Sequence, residues 1–374
     1  MDRLSITLVD GFAGGNIYTD PVTGADRPGS PSIIMGAIRE AERRAREKRT
    51  KDFEINAHYF FIEKDRGAFS SLERTLKLSG HDEEIGESIF PVNDDFALQA
   101  DRIIKFILAK SKSGRSIFVL DQCGYAQVPF PCIRDILGRI PNAEIILTFA
   151  ADFLIDYLCE GRPNRQLASI ADLDLDDLSS RMDRTDPRWR RLIQLELHSA
   201  IQKAAGASFY TPFFIHSKDS HRDLWLVHLS RHHRARDVMM GVHWDRQNCF
   251  AHYGKPGLRM LGYHPDEDIL NTRQPFFEGF YFDDKARALT RESLMEDLPA
   301  RIYESPDVVT FKGLFSSISN ETPATSEILR ESLLGLATDE RVIIKDVTGL
   351  TRRRAGVQHD SDLIYIPRQK RLFY

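Results

Sequence analysis

The chain has 374 residues, of which 42% are hydrophobic and 28% are charged, and its formal net charge is −4. This composition is typical of a folded globular protein, and the length favours two domains, or one domain with large insertions. The weakly acidic balance excludes an overall attraction to nucleic acid, and the absence of a long apolar run or a signal pattern predicts a cytoplasmic protein.

The first predicted strand, Ile6 to Val9, ends at Asp10 and continues into a glycine-rich turn that reaches Asn16. A helix is predicted from Ser30, a good N-cap followed by proline, to about Arg49. Strand, glycine turn and helix form the entry to a nucleotide-binding α/β half, in which ligands bind at the carboxyl end of the strand. The spacing is not the G-x-G-x-x-G of dinucleotide-binding proteins. It is similar to the first motif of S-adenosylmethionine-dependent methyltransferases.

The next two predicted strands also end in polar residues. The apolar run from Ala57 to Ile62 predicts a buried second strand. Glu63 follows it, where a nucleoside-binding domain has an acid that accepts hydrogen bonds from ribose hydroxyls; a solvated loop residue is the alternative. A third strand is predicted over Ile85 to Val92. After it, Asn93 or Asp94 is a candidate to contact an adenine edge, and Asp94 or Asp95 is a candidate to cap the helix Phe96 to Ala109.

Further rounds of strand and helix complete the predicted sheet. Ser116 to Asp121 is the clearest strand, and Gln122 follows it. A helix over Pro129 to Gly138 and a strand over Glu144 to Phe149 come next. This alternation predicts a mostly parallel sheet with right-handed crossovers. The helix-rich, charged stretch at 160–205 is predicted to be an insertion.

The sheet is predicted to end in an antiparallel pair. Two apolar runs, Phe209 to Ile215 and Leu224 to Ser230, flank a polar turn and predict a hairpin at the sheet edge. A helix is predicted from Ala235 to His243. Residues 245–285, which are rich in proline, glycine and aromatic residues, form a second predicted insertion.

The tail has the element order of a winged helix. Helices are predicted at 290–302 and 310–319, followed by a helix that starts around Thr322 to Glu327 and ends near Ala337. Short strands at 342–346 and 363–366 flank a basic loop. We therefore predict a methyltransferase-like Rossmann domain at 1–285 and a winged-helix-like domain at 286–374. The basic loop is a candidate nucleic-acid-binding site, with a solvated wing or a protein contact as the alternative; its residues are Arg352, Arg353 and Arg354.

Taken in order, several motifs resemble the three-Cys-motif partner protein (TcmP) family. They are Asp10 to Gly14, Pro28 to Pro31, Phe61 to Glu63, Asp121 to Tyr125, Trp225 to Ser230 and Asp237 to Met239. The resemblance implies a bacterial protein with a Rossmann-like methyltransferase domain, a winged helix and S-adenosylmethionine as cofactor. It also implies a partner that carries three cysteines of radical-SAM type.

This resemblance gives the candidate site residues their roles. The cofactor-binding candidates are Asp10, Phe12, Gly14, Gly15, Glu63 and Asp94. The catalytic candidates are Asp121, Gln122 and Tyr125. Asp121 would orient a substrate amine and Tyr125 would stack on a base flipped out of a duplex.

Other chemistries are open at this stage. Cys123 follows the fourth strand, as does the nucleophile of cytosine-5 methyltransferases, but a half-buried structural thiol is the commoner case. The four cysteines have no C-x-x-C spacing, and His228, His232 and His233 have no metal-binding pattern, so we expect no metal. We expect these histidines to make hydrogen bonds in a loop instead. A nuclease or hydrolase that uses Asp121 and the histidines is a third possibility.

The chain departs from the family pattern at two turns. Gly15 and Asn16 stand where the family commonly has Pro-Gly, although Asn tolerates a positive φ, so this turn can be kept. Gln122 and Cys123 stand where the family commonly has Pro-Phe, and this second departure favours a non-catalytic alternative. The alternative function is a decayed methyltransferase fold that serves as a scaffold or as a regulator that binds nucleic acid or protein.

Overall fold

The computed structural model describes residues 3–20, 22–110, 114–122, 127–149, 201–216, 223–247, 257–258, 280–305, 309–351 and 356–367. These residues form two compact units, of which the first ends at Arg231 and the second begins at His232. Most of the two predicted insertions lies outside the described residues, and the predicted domain boundary at 285 stays a prediction. Within the described ranges, no helix combines the length and the apolarity needed to cross a membrane.

The first unit alternates strands and helices. Its strands and helices are β1 (Arg3–Asp10), β2 (Ile17–Thr19), β3 (Asp26–Pro28), α1 (Ser30–Glu47), β4 (Glu54–Ile62), α2 (Arg66–Leu78), β5 (Ile89–Val92), α3 (Phe96–Lys110), β6 (Ser116–Leu120), α4 (Phe130–Arg139), β7 (Ala143–Phe149), β8 (Phe209–His216) and β9 (Asp223–Ser230). A 3-10 turn at Asp82–Glu84 precedes β5.

Seven of these strands form one sheet in the order β5-β4-β1-β6-β7-β9-β8. The first five strands of that order are parallel, and β9 runs antiparallel to both of its neighbours. Counted in chain order the sheet reads 3-2-1-4-5-7-6 with the seventh strand reversed, which is the order of class I methyltransferase sheets. The predicted α/β fold with a mostly parallel, methyltransferase-like sheet is confirmed. The order reverses between β1 and β6, and ligands of open α/β sheets bind at such a switch point.

The central strands are buried on both faces, as the unbroken apolar run in β4 predicts. Tyr59 and Phe61 point to one face and join a cluster with Leu72 of α2. Phe60 points to the other face, where its ring lies 5.0 Å from that of Phe106 of α3. This packing fixes the register of β4, because a slip of one residue would exchange the two faces.

The first unit differs from the sequence-based expectations at two places. Between Gly15 and Gly29, where no strand is predicted, the chain forms the antiparallel hairpin of β2 and β3. The third sheet strand starts at Ile89 rather than at Ile85, because Gly86 takes a φ of 90° and turns the chain before the strand. Its end at Val92 is as predicted.

The second unit contains helices and a small sheet. Its elements are α5 (His233–Arg246), α6 (Asp284–Tyr303), β10 (Val309–Thr310), α7 (Phe311–Ile318), α8 (Ser326–Thr338), β11 (Ile343–Lys345) and β12 (Leu363–Tyr365). The three strands pair antiparallel in the order β10-β12-β11. The helices bury an apolar core that includes Leu294, Phe311, Leu329 and Ile364. The predicted helix start before α8 is confirmed, because the Thr325 hydroxyl accepts a hydrogen bond from the Ile328 N–H.

Helix α5 is joined to the turn before α8 by two side chains. The guanidinium of the fully buried Arg236 donates to the carbonyls of Thr322 and Ala324. The indole Nε1 of Trp244 donates to the Pro323 carbonyl at 2.9 Å. These bonds explain why α5 belongs to the second unit.

Candidate functional site

The turn after β1 is held by the two strands that flank β1. The Gly11 N–H donates to the Val119 carbonyl and the Ala13 N–H donates to the Ile62 carbonyl, both at 2.9 Å. Gly14 then takes a φ of 60° and Asn16 a φ of 65°, so the prediction that Asn16 tolerates a positive φ is confirmed. The glycine turn therefore lies at the carboxyl ends of three neighbouring strands, β4, β1 and β6.

Asp10 is almost completely buried, with 1% of its surface exposed. Its Oδ1 accepts a hydrogen bond from the Phe12 N–H at 3.1 Å, whereas its buried Oδ2 has no hydrogen-bond partner among the described residues. Burial raises the pKa of Asp10 to about 6, against the opposing effect of the Ser30 hydroxyl and the Phe12 N–H. The negative charges of Asp121 and Glu63 raise this pKa further. Asp10 thus has an unused acceptor close to two other carboxyl groups.

Glu63, at the end of β4, binds the glycine turn directly. Its Oε2 accepts the Gly14 N–H at 2.8 Å and its Oε1 accepts the Asp65 N–H at 2.7 Å. A carboxylate oxygen has two lone pairs, so each oxygen can accept one more donor. Glu63 is half-buried, which leaves it accessible to hydroxyl groups of a ligand.

The two aspartates after β5 have different roles: one caps a helix, and the other remains the candidate for a ligand contact. Asp95 caps α3, because its Oδ1 accepts the Ala97 N–H at 2.9 Å. Asp94 accepts from the Gln99 side chain and from the Asp95 N–H, and these bonds lower the pKa of Asp94. The predicted cap is therefore Asp95, and the contact of Asp94 with adenine stays a prediction.

The residues after β6 have different local roles. Asp121 is exposed, and its Oδ1 accepts a hydrogen bond from the Thr148 hydroxyl of β7. Gln122 is buried; its Nε2 donates to the Thr148 carbonyl and its Oε1 accepts the N–H groups of Gln127 and Val128. Gln122 thus braces the loop after β6. Tyr125 and Cys123 lie outside the described residues.

Three carboxyl groups therefore converge at the sheet edge: Asp10, Glu63 and Asp121. No lysine or arginine within the described part of the chain forms an ion pair with any of them. The nearby N-terminus of α1 offers an anion fewer N–H groups than usual, because the Ser32 N–H is bound by the Asn16 side chain at 3.0 Å and Pro31 has none. The site therefore favours a neutral or cationic group over a phosphate.

Sequence reasoning missed Tyr18 of β2. A Cβ at Gly14 would collide with the Tyr18 hydroxyl, and a Cβ at Gly29 would lie 2.9 Å from a carbon of the Tyr18 ring. The sequence indicates this contact only by the presence of an aromatic residue close to the glycine turn.

The other sequence candidates lie away from this group or outside the described residues. His228 is in β9 and its Nε2 lies 3.0 Å from Glu144 Oε2. His232 caps α5 through a bond from the Arg234 N–H, and His233 begins that helix. His228 and His232 therefore make hydrogen bonds as predicted, but of the three histidines only His232 is in a loop. Among the described residues, no group of three His, Cys, Asp or Glu side chains could hold a metal ion. The basic triplet Arg352 to Arg354 lies outside the described residues.

Comparison with known proteins adds little to this geometry. No family model and no curated protein matches the chain. Among solved structures, LPL1258 of Legionella pneumophila str. Philadelphia 1, assigned to DUF519, is 9% identical with a TM-score of 0.34, over 60% of this chain and 77% of that one. Sp1610 of Streptococcus pneumoniae, proposed to be a tRNA (m1A22) methyltransferase, is 12% identical with a TM-score of 0.27, over 89% and 94%. The fold assignment therefore depends on the strand order itself, and the resemblance to TcmP proteins stays a prediction.

Proposed function

We propose that the first unit binds S-adenosylmethionine at the carboxyl ends of β1, β4 and β6 and serves as a methyltransferase. The observation that carries this proposal is the buried Oδ2 of Asp10, which has no partner among the described residues and is close to Glu63 and Asp121. A buried carboxylate without a partner is unfavourable unless a ligand supplies a donor or a positive charge. The ammonium group of a methionine moiety is such a donor.

The residues present fit the other parts of this cofactor. Glu63 keeps one lone pair on each oxygen for the ribose hydroxyls. The turn of Gly14 and Gly15, beside Phe12, would hold the methionine moiety. Asp94 is the candidate for the adenine edge. Once bound, S-adenosylmethionine supplies an electrophilic methyl group.

The same features argue against a dinucleotide in this site. A pyrophosphate needs free N–H groups at a helix N-terminus, and Asn16 already binds the Ser32 N–H of α1. Three neighbouring carboxyl groups would also repel it. A nucleoside with a cationic tail avoids both difficulties.

Isothermal titration of the full chain with S-adenosylmethionine, S-adenosylhomocysteine and NAD⁺ tests the proposal. We expect heat of binding for the first two ligands only, and a loss of affinity of about tenfold for Glu63→Ala. Glu83→Ala is the matched control, because Glu83 is exposed in the 3-10 turn before β5, at the opposite edge of the sheet. No heat with either adenosyl ligand at millimolar concentration would contradict the proposal.

We further propose an amino group, such as that of a nucleic-acid base, as the methyl acceptor. Asp121 is exposed, and the Thr148 hydroxyl orients its carboxylate. Asp121 can therefore accept an N–H of the substrate and direct the nitrogen toward the methyl group. Asp121→Ala should remove transfer of a labelled methyl group to RNA or DNA while retaining measurable binding of the cofactor.

A winged helix in the second unit and a partner protein complete this proposal. The order α6, β10, α7, α8, β11, β12 and the strand order β10-β12-β11 support a winged helix. The motif order supports a three-Cys-motif protein of radical-SAM type as partner, which co-purification of the two proteins would test.

A scaffold function is the second candidate, and the exposed face of α8 favours it. Glu327, Leu334 and Thr338 are exposed on this helix, whereas Arg330 binds Asp360. A helix with this surface suits contact with a protein better than with phosphates. Partner binding that survives Asp10→Ala and Asp121→Ala, in a chain that binds no adenosyl ligand, would favour the scaffold over the enzyme.

A further inference from the structure

The hairpin of β2 and β3 is braced within itself. Asp20 closes its turn, since its Oδ1 accepts the N–H groups of Val22 and Thr23 at 2.9 and 3.0 Å. The same side chain forms an ion pair with Arg27 of β3. All six strand residues are nevertheless exposed. The hairpin is thus an ordered projection that buries neither of its strands.

This projection is attached at both ends to the candidate site. It leaves the glycine turn at Asn16 and returns at Gly29, where the Gly29 N–H donates to the Asn16 carbonyl. The side chain of Asn16 then binds the first turn of α1 through Ser32. The hairpin therefore has a fixed origin beside the carboxyl ends of β1 and β4.

Tyr18 is the residue of the hairpin that lies against the glycine turn. Its hydroxyl takes the space that a Cβ at Gly14 would need, and its ring takes the space that a Cβ at Gly29 would need. The N–H of the same Gly14 is bound by Glu63 Oε2. Tyr18 still exposes 53% of its surface, so most of the ring remains accessible beside this turn.

We propose that Tyr18 is a binding residue of the cofactor site and that its ring contacts the sulfonium end of S-adenosylmethionine, an inference that rests on the proposed function. In that function the methionine moiety lies on the glycine turn, next to the Tyr18 ring. An aromatic face attracts a cation through its quadrupole. Tyr18 therefore favours S-adenosylmethionine, with its positively charged sulfur, over S-adenosylhomocysteine, with its neutral sulfur.

Titration of three chains with both ligands tests this inference. Relative to the wild-type chain, Tyr18→Leu should weaken S-adenosylmethionine about tenfold and S-adenosylhomocysteine by less than about threefold. Tyr18→Phe keeps the aromatic face and should stay within about threefold of wild type for both ligands. Circular dichroism melting verifies that each variant is folded.

Ile17→Ala is the matched control. Ile17 precedes Tyr18 on the same strand, is exposed to a similar extent, and points to the opposite face of the hairpin. It should leave both affinities unchanged. Equal losses for the two ligands in Tyr18→Leu, or no loss, would overturn the inference while the proposed function stands. A wild-type chain that binds neither ligand would instead remove the proposed function, and this inference with it.

Discussion

Two buried charged side chains, one in each unit, differ in how far hydrogen bonds compensate their charge. Asp10 in the first unit and Arg236 in the second expose 1% and 0% of their surface. Burial moves both toward the neutral form: the pKa of Asp10 rises to about 6 and that of Arg236 falls to about 10. Arg236 gives two hydrogen bonds to carbonyls, and only its Nε has no partner among the described residues. Asp10 has an unused oxygen and two carboxyl groups nearby.

This difference separates a charge that supports the fold from one that the fold leaves partly uncompensated. The bonds of Arg236 connect α5 to the turn before α8, so its charge contributes to the fold of the second unit. Asp10 accepts hydrogen bonds from the Phe12 N–H and the Ser30 hydroxyl, but its burial dominates and its charge opposes folding at neutral pH. A buried charge that makes the protein less stable is expected where a ligand compensates for it.

Arg236→Met tests the structural side of the comparison and should have the largest effect. The change leaves the Thr322 and Ala324 carbonyls buried without donors, and we expect a loss of about 2–4 kcal/mol in the free energy of unfolding. Urea denaturation followed by circular dichroism measures it. Arg234→Met is the control, because Arg234 is exposed and lies 3.4 Å from Asp360, and it should change stability by less than about 0.5 kcal/mol. Equal effects of the two variants would contradict a structural role for Arg236.

Asp10→Asn tests the functional side and should stabilise the protein. The pKa of Asp10 rises from 3.8 to about 6 on folding, so the folded state holds the proton more tightly. The contribution of Asp10 to stability is then complete below pH 4 and is lost as the pH rises through 6, by about 3 kcal/mol in total. Asp10→Asn should therefore match the wild type at pH 4 and gain up to about 3 kcal/mol at pH 8. Urea denaturation at the two pH values measures the gain.

The control for Asp10 is an aspartate whose pKa moves in the opposite direction. Hydrogen bonds from the N–H groups of Thr23 and Val22 lower the pKa of Asp20. Asp20→Asn should therefore lower stability at pH 8 and have less effect at low pH. A similar pH dependence of stability in both variants would show that the burial of Asp10 does not cause the gain in Asp10→Asn.

Ligand affinity gives a second measurement of the ionisation of Asp10. The affinity of the wild-type chain for S-adenosylmethionine should rise between pH 5 and 7 as Asp10 ionises, and that of Asp10→Asn should stay constant.

The sequence predicts the elements on which this comparison depends, but not the contacts between them. Asp10 and Glu63 are recognisable because each ends an apolar run, and Thr325 because it precedes a helical pattern. The burial of Arg236 cannot be recognised from the sequence, since an arginine in a charged helix is usually solvated. Its enclosure depends on a turn more than 80 residues away.

The same limit applies around the glycine turn. The hairpin from Ile17 to Pro28 has no alternation of apolar and polar residues, since its strands are exposed on both faces. Its stability comes from Asp20 and from the positive φ of Gly24, which are local features without a strand signal. Tyr18 meets Gly14 and Gly29 only through that hairpin.

Asn16→Ala tests how much the conformation and hydrogen bond of Asn16 contribute to stability, for comparison with the contribution of Arg236 in the second unit. Alanine at a φ of 65° is strained, and the hydrogen bond to the Ser32 N–H is lost, so we expect a loss of about 2 kcal/mol. Asn16→Gly removes the bond but accepts the φ, and should lose about 1 kcal/mol. Thermal or urea denaturation compares the two. Equal losses would mean that the backbone conformation of Asn16 contributes nothing.

Trp244→Phe should have the smallest effect on the free energy of unfolding. It tests whether the charge of Arg236, rather than its burial against the turn before α8, explains its large contribution to stability. Phenylalanine keeps an aromatic ring beside Phe280 and Phe282 but cannot donate to the Pro323 carbonyl. A neutral hydrogen bond of this kind is worth about 1 kcal/mol. Because Trp244 and Arg236 hold adjacent carbonyls of one turn, the double variant should lose less than the sum of the two single losses. Additive losses would mean that the two side chains hold this turn independently, and that the brace between α5 and α8 is not a cooperative unit.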